Sequence, residues 1–565
     1  MGRKGLSLFV VLTLVLTVFA VIPSSVSAAT IYVPGNYPTI QDAINVASDG
    51  DIICVASGTY VEQLDINKRI TIRGAGVGST IIVSPDTLVT KFVTSADNKP
   101  IIYIHDVDDV VIENLTVDGA GKGNSNYRFE GVAFYDAGGI LQNLEIKGIR
   151  DTPLSGAQHG VGVYAWVNAG TDRTVKVENC TVYDYQKNGM ALNGENLYVE
   201  VRNCTVTGSG PLGSGLPAQN GIQLGWGATG IVDNNTVSNN WYIPETWAAC
   251  GGLIYDSDDV VITNNTLDSN LVGVYYYGGN GTIAYNTFTN NKWAINLDGD
   301  AYIYGNTFSG NTYDLTYMVE IVRTHHFWDV IHDAVDNASD GDTIKVYDGV
   351  YYENLVIDKE ITLQSSSTPI IDGNQAGPCI TIKADNVVVD SLVLFNGTHG
   401  IYMNDAGKSY NLTIRRCTIK NNTQWGAVYL RQNDADKNVT VFVESNVFEW
   451  NGNDNLVIYD EAYTQAHPDG FYGYRWIVRK NMFNPCGPSP NWDYSGLGFE
   501  PALGVLVENN TFNSYWGIWM DNARYIVIRN NTLSYSLGDG GAGIVVWCAP
   551  IGPPPIVTKY VTIEN

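Results

Sequence analysis

TIQDAINVASDGDIICVASGTYVEQLDINKRITI, residues Thr39 to Ile72, occurs twice in this chain. Moved forward by 291 positions it falls without a gap on Val330 to Leu363, VIHDAVDNASDGDTIKVYDGVYYENLVIDKEITL, with 18 of 34 residues identical. Thr39 and Asp42 form an acidic variant of a capping box at a helix start. Ile40, Ala43, Ile44 and Ala47 recur at i, i+3, i+4 and i+7, the apolar face of a two-to-three-turn helix, and Gly50 ends it. After Gly50 the period changes to two, in Ile53 and Val55, Leu64 and Ile66, Ile70 and Ile72, with turns at Ser57-Gly58 and Asn67-Lys68. A short helix followed by such strands reads as a plug over the open end of a stacked coil, where bare strand edges would otherwise invite pairing. Glu62 and Glu353, identical in the two copies, are assigned to folding the first coil rather than to chemistry.

Each copy opens a run of short repeats. DDVVIENLTVDG, TVKVENCTVYD, LYVEVRNCTVTG, TGIVDNNTVSNN, DDVVITNNTLDSN, GTIAYNTFTNN and AYIYGNTFSGN share one plan, an alternating strand that meets Asn, then Thr and a second apolar step. Between them lie Gly-led strands such as GVAFYDAGG, NGMALNG, NGIQLGWG and VGVYYYGG. The asparagine of the shared step is placed at 179, 203, 235, 265, 286 and 306, so successive coils take 24, 32, 30, 21 and 20 residues. A period of this size with variable loops is that of a β-solenoid, because each coil must return to the same strands while its loops bulge freely. Stacked Asn side chains can hydrogen-bond along such a ladder. The fold expected is all-β, two tandem right-handed parallel β-helices, each opened by a short amphipathic capping helix. The boundaries expected are 1–28 for a signal peptide, 29–320 for the first solenoid and 321–565 for the second. The chain stops in YVTIEN, where a strand has just reached its Asn step, so the C-terminal end of the second solenoid is expected to be truncated or to continue elsewhere.

This plan resembles the right-handed parallel β-helix repeat of the pectate lyase-like superfamily, and the opening TIQDAI…GTYxE…ITI stretch is similar to that of pectin methylesterases and related surface β-helix proteins. The resemblance implies a secreted or cell-surface repeat protein that handles polysaccharide. The methylesterase catalytic motifs are absent: there is no paired Gln-Asp strand, no Gly-flanked Asp-Phe strand end and no Arg-Pro-Trp.

Residues 1–28 carry Arg3 and Lys4, an apolar run from Leu8 to Ile22 and the small-residue site Val26-Ser27-Ala28, the parts of a secretory signal. Membrane attachment is expected only if this segment stays uncleaved. The whole chain has a formal charge of −26, and removing the leader takes two positive charges and no negative ones. So acidic a surface repels phosphate backbones and argues against nucleic acid as a partner. It suits Ca2+, which takes clustered carboxylates. A metal-handling β-helix is weakly supported by six Met and seven scattered His. Cys180 and Cys204 share an Asn-Cys-Thr step 24 residues apart. On adjacent coils, about 4.8 Å apart, they would be within disulfide reach or form a ladder of small buried residues.

Two regions invite a chemical reading. IYDEAYTQAHPDGFYGYRW, residues 458–476, interrupts a coil and gathers Asp460, Glu461, His467, Asp469, Tyr472 and Arg475. Paired carboxylates with His and Arg are the groups that acid–base chemistry on sugar rings uses, in a polysaccharide lyase or glycoside hydrolase. The second is an aromatic set of Trp241 and Trp247 with Tyr275, Tyr277 and Trp293 on following coils, a platform for sugar rings. Tyr276 lies on the opposite face of its strand. Two functions follow: a secreted or cell-surface β-helix that binds or processes polysaccharide, or a non-enzymatic envelope or adhesion protein whose length is itself the function.

Overall fold

The computed structural model describes residues 28–168, 170–404, 410–432, 434–467, 471, 473–485, 495–514, 516–534, 543–547 and 558–564. The leader up to Ser27, together with Asp469 and Tyr472, lies outside the described residues.

Alternating side chains make each coil close on itself and stack. Leu197–Arg202 and Thr205–Thr207 lie parallel on Thr229–Asp233 and Thr236–Ser238 of the next coil, and Asn188–Asn193, Asn220–Gly225 and Cys250–Tyr255 stack in parallel on a third side. Val199, Val201, Val206, Ile222 and Leu224 point inward and are buried. The result is two parallel β-helices in succession, with one apolar core running from Val33 to Phe327 and another from Val319 to Ile528. The Gly-led strands need their glycines. A Cβ on Gly162 would stand 2.6 Å from the carbonyl oxygen of Gly189, and one on Gly189 2.6 Å from that of Gly221, so this column has no room for any side chain.

The shared step is a corner of two residues. The first adopts positive φ, at Asn114, Asn143, Asn179, Asn203, Asn234 and Asn264 in the first half and at Arg416, Ser445, Lys480, Asn509 and Asn530 in the second. Asn is one of the few L-residues that enters this region readily. The second residue turns into the core, and its identity changes in order along the axis: Leu115, Leu144, Cys180, Cys204, then Asn235, Asn265 and Asn286, all buried. The second half repeats the order with Leu392, Cys417, Asn446, Asn481 and Asn510. The ladder position therefore needs a correction. Asn179 and Asn203 are corner residues, and at those two coils the rung is cysteine. From Asn235 onward each amide satisfies its neighbour. Asn265 Oδ1 accepts Asn235 N–H at 2.8 Å and Asn235 Nδ2 at 2.9 Å, while Asn265 Nδ2 donates to Val232 O at 2.8 Å and to Asn286 Oδ1 at 3.0 Å. A parallel ladder runs through Asn240, Asn270, Asn291 and Asn311.

Helix α1, Ile40–Val46, and helix α2, Ile331–Asn337, stand at the two copies of the opening stretch. Each buries the expected face, Ile40, Ala43 and Ile44 in α1 and Ile331, Ala334 and Val335 in α2. Helix α1 stops at Val46 with Ala47 as its C-cap, earlier than Gly50, which lies in the following turn at φ +93°. Lys68 Nζ donates to the carbonyls of Ile44, Asn45 and Ala47, and Lys359 does the same to Val335 and Asp336, so conserved positions of the repeated stretch satisfy the helix ends. Between the solenoids an antiparallel pair splices the sheet. His326–Trp328 pairs with Asp300–Tyr304, the last strand of its own column in the first solenoid, and Val319–Ile321 pairs with both His326–Trp328 and Thr343–Val346 of the second solenoid. The edge that a parallel stack would leave bare is filled from both sides. Among the described residues no helix is long and apolar enough to cross a membrane.

Candidate functional site

The inward face of the Gly-led strands is committed to the core, which leaves positions two and four after each glycine for the outer face. Those positions read Ala133 and Tyr135, Tyr164 and Trp166, Ala191 and Asn193, Gln223 and Gly225, Leu253 and Tyr255, Tyr275 and Tyr277. Register therefore lines up an aromatic strip along the axis. Ring centroids are 6.0 Å apart for Trp166 and Trp226, 5.0 Å for Trp226 and Tyr255, and 5.4 Å for Tyr255 and Tyr277.

Where small residues interrupt the strip a cleft of about 610 Å³ opens. Tyr135, Tyr164, Trp166 and Trp226 supply its aromatic walls. Its floor is an amide chain in which Asn188 Nδ2 donates to Gln223 Oε1 at 2.9 Å and Gln223 Nε2 donates to Asn193 Oδ1 at 3.2 Å. Two cations reach it. Lys187 Nζ donates to Ala218 O, and burial lowers its pKa; Arg128 Nη2 donates to Ser95 Oγ at 2.6 Å. A short antiparallel pair, Phe92–Val93 with Asp97–Asn98, closes one end, with the Phe92 ring packed 4.7 Å from Tyr135. Glu130, beside this cleft, is enclosed; burial pushes its carboxyl well above the ordinary range, and Arg128 partly offsets that. No carboxylate lines the cleft among the described residues. Aromatic faces with neutral amide donors and acceptors hold sugar rings, whereas glycoside cleavage calls for a pair of acids.

The aromatic platform expected from sequence lies on this same face, farther along the axis. Tyr275 and Tyr277 point outward and Tyr276 is fully buried. Trp241, Tyr275 and Trp293 pack half-buried on Tyr242, Cys250, Leu271 and Val272, while Trp247 stands apart, 70% exposed. Lys292 Nζ sits 4.2 Å over the Trp293 ring. The residues missed in the sequence, Tyr135, Tyr164, Trp166 and Trp226, carried a usable signal: three sit two or four positions after the core-facing glycines, and Trp226 follows Gly225 at the next step.

The 458–476 region folds differently from the expectation of an open acid–base site. Helix α3, Glu461–Ala466, lies over the coil, and Asp460 before it is completely buried. Its Oδ2 accepts Arg475 Nε at 3.1 Å and Trp476 Nε1 at 3.3 Å. The Arg475 guanidinium lies 3.4 Å over the Tyr463 ring, whose other neighbour is the His467 ring at 4.0 Å. Burial raises the Asp460 carboxyl to about 7, against the lowering influence of Arg475. Glu461 faces away and accepts from Tyr459 and Gln465. The structure thus brings Asp460 and Arg475 together as a buried anchor and separates Glu461 from them. Cys180 and Cys204 are free thiols, both buried on successive coils. No group of three or more His, Cys, Asp or Glu converges to hold a metal ion among the described residues, so the acidic composition supplies no assembled Ca2+ cage there.

Comparison with known proteins fits this architecture. A family model for the right-handed β-helix region matches residues 130–313 and 330–471. A cell surface glycoprotein of Methanothermus fervidus is 35% identical over 108 residues, 19% of this chain and 17% of that protein, so the chain spans less than a fifth of that relative. Among solved structures, pectate lyase Pel9A aligns with 51% of this chain and 81% of its own at 12% identity and a TM-score of 0.33. An alginate lyase from Paenibacillus sp. str. FPU-7 aligns with 50% of this chain and 97% of its own at 16% identity and a TM-score of 0.30. With the family model matched over more than half of its length and parallel coils stacked through both halves, the chain belongs to the right-handed β-helix family.

Proposed function

We propose that this protein is an extracellular or cell-surface β-helix that binds polysaccharide, with the cleft between Tyr135 and Trp226 as the principal subsite. The observation that carries this reading is the cleft itself: aromatic walls over a floor of hydrogen-bonded amides, opening onto an aromatic strip that continues through Tyr255 to Tyr277. A glycan laid along the axis would stack its rings on the strip and exchange hydroxyl hydrogen bonds with Asn188, Asn193 and Gln223. Trp241, Tyr275 and Trp293 extend that surface. That no carboxylate lines the cleft among the described residues favours binding over hydrolysis at this place. The surface location is supported by the leader-like residues 1–28 and by the 35% identity with part of a cell surface glycoprotein. An envelope role for the solenoid is compatible with glycan binding, since the same axis that sets its length also carries the strip.

The test is affinity electrophoresis in gels containing neutral and acidic polysaccharides, one at a time. Retardation by at least one glycan, lost in Trp166→Ala and Trp226→Ala and kept in Trp247→Ala, is the expected result. Retardation that survives both cleft substitutions would overturn the assignment of the subsite, and no retardation by any glycan would overturn the function.

A further inference from the structure

The second solenoid has a slot of its own, about 290 Å³, on the outer face of the sheet built by Ile401–Asn404, Val428–Arg431, Leu456–Tyr459, Ser495–Glu500 and Trp516–Asp521. Register again explains why it is there. The outward column reads Tyr402, Tyr429, Val457, Gly498, Trp519, so two small residues fall between aromatic ones and leave a gap. A Cβ built on Gly498 would have its nearest neighbours at ordinary contact distance, Ser495 Oγ at 3.5 Å, Asp454 Oδ2 at 3.9 Å and Leu456 O at 3.9 Å. Trp425, Trp516 and Trp519 wall the gap, and its polar lining is Asp454, Ser495 and Glu500.

Carboxyl groups and the faces of indole rings are the parts of this lining that attract positive charge. Asp454 is fixed, with Oδ2 accepting Trp425 Nε1 at 2.8 Å and Oδ1 accepting Ser495 Oγ at 2.8 Å. The Glu500 carboxyl makes no hydrogen bond and no ion pair among the described residues. Burial first, and then the charges of Asp454 and Asp521, push it up to about 7. No lysine or arginine lines the slot among the described residues. Arg431, two coils away in the Glu500 column, lies with its guanidinium 4.5 Å over the Tyr459 ring. The Glu500 carboxyl, with no ion pair among the described residues, and three indoles thus meet around one gap. The faces of aromatic rings attract cations, most strongly in tryptophan, and nearby carboxylates add to that attraction.

We propose that this slot binds an organic ammonium group, the charged end of an amino sugar or of a quaternary amine, held between the indole faces and neutralised by Glu500. The site is separate from the cleft of the first solenoid and does not depend on the reading given for it. Gly498 is open so that the group can approach the backbone, and Trp519, next to it in the column, supplies the floor's aromatic edge.

The experiment is calorimetric titration, with intrinsic tryptophan fluorescence as a second readout, of the full chain with choline and with D-glucosamine. Their uncharged counterparts, 3,3-dimethylbutan-1-ol and D-glucose, are run beside them. At least one ammonium compound is expected to bind about tenfold or more tightly than its neutral counterpart, the size of one such cation–π and charge contribution. Glu500→Gln and Trp519→Ala are each expected to weaken that binding by about tenfold, with the circular dichroism and melting temperature of Glu500→Gln recorded as a folding control. Glucosamine alone binding would identify an amino sugar, and choline alone a quaternary amine; either supports the proposal. Equal binding of charged and uncharged members, binding unaffected by Glu500→Gln, or no binding of any of the four would overturn it.

Discussion

Glu353 closes the backbone of a helix that begins 22 residues before it: its Oε1 accepts the Ile331 N–H at 2.8 Å, and its Oε2 accepts the next N–H, that of His332, also at 2.8 Å. Glu62 does the same for Ile40 and Gln41 at 3.0 Å. The two helices differ in their own caps. Thr39 Oγ1 accepts the Asp42 N–H at 3.1 Å, while Val330 offers no side-chain oxygen. Glu353→Ala should therefore cost more than Glu62→Ala, about 2–3 kcal/mol against about 1–2 kcal/mol. Hydrogen exchange across 331–337 and 40–46 measures each helix separately.

Asn265 sits in the middle of the amide ladder with both ends of its side chain used. Asn265→Ala leaves the Asn235 amide and its backbone N–H without their acceptor inside the core, at a cost of about 3 kcal/mol. Urea unfolding followed by limited proteolysis should show the coils around 235–286 opening first.

Cys180 and Cys204 occupy the rungs just before that ladder begins. Hydrogen bonding to Cys204, together with burial, holds the Cys180 thiol above its ordinary range. Both thiols should resist alkylation in the folded protein and react fully after denaturation. Peptide mapping with and without reduction should show the Cys180 and Cys204 peptides unlinked in both.

Arg475 neutralises a carboxylate that no solvent reaches. Arg475→Ala strands Asp460 in the core and should destabilise the second solenoid by about 3–5 kcal/mol. Asp460→Asn should be much milder, and the double substitution should recover part of the loss. Midpoints of chemical denaturation for the three variants give the comparison.

Glu500 carries a raised pKa of about 7, against about 4.3 for an unstrained glutamate. A carboxyl whose folded pKa is raised binds its proton more tightly in the native state. Its stability contribution is therefore complete below the unfolded value and is lost as pH rises through the folded one. Thermal unfolding should show a decline in stability from about pH 4 to about pH 7, to which the raised Asp460 carboxyl also contributes, that Glu500→Gln makes shallower, and an ammonium ligand in the slot should oppose the Glu500 part of it.

The opening stretch was legible because its information is local. Ile40, Ala43, Ile44, Glu62 and Lys68 recur at the same offsets as Ile331, Ala334, Val335, Glu353 and Lys359, and the helix and its capping groups follow from them. The corner was legible only to within one residue. Asn-Cys and Asn-Asn look alike in sequence, and only the φ value separates the residue that bends the backbone from the one that enters the core. That Asp460 faces inward onto Arg475 while Glu461 turns to Tyr459 and Gln465 was not legible, because spacing in a loop does not say which carboxylate faces inward.

The sequence alone determined that the chain is a repeating, parallel, all-β solenoid begun twice, since period-two strands, Asn steps and a repeated capping helix are properties of neighbouring residues. The tertiary structure decided where the sites are. The cleft at Tyr164, Trp166 and Trp226 and the slot at Trp425, Trp516 and Trp519 are assembled from residues many positions apart on different coils. Loop lengths differ from coil to coil, so which side chains become neighbours is set by the stacking register rather than by distance along the chain.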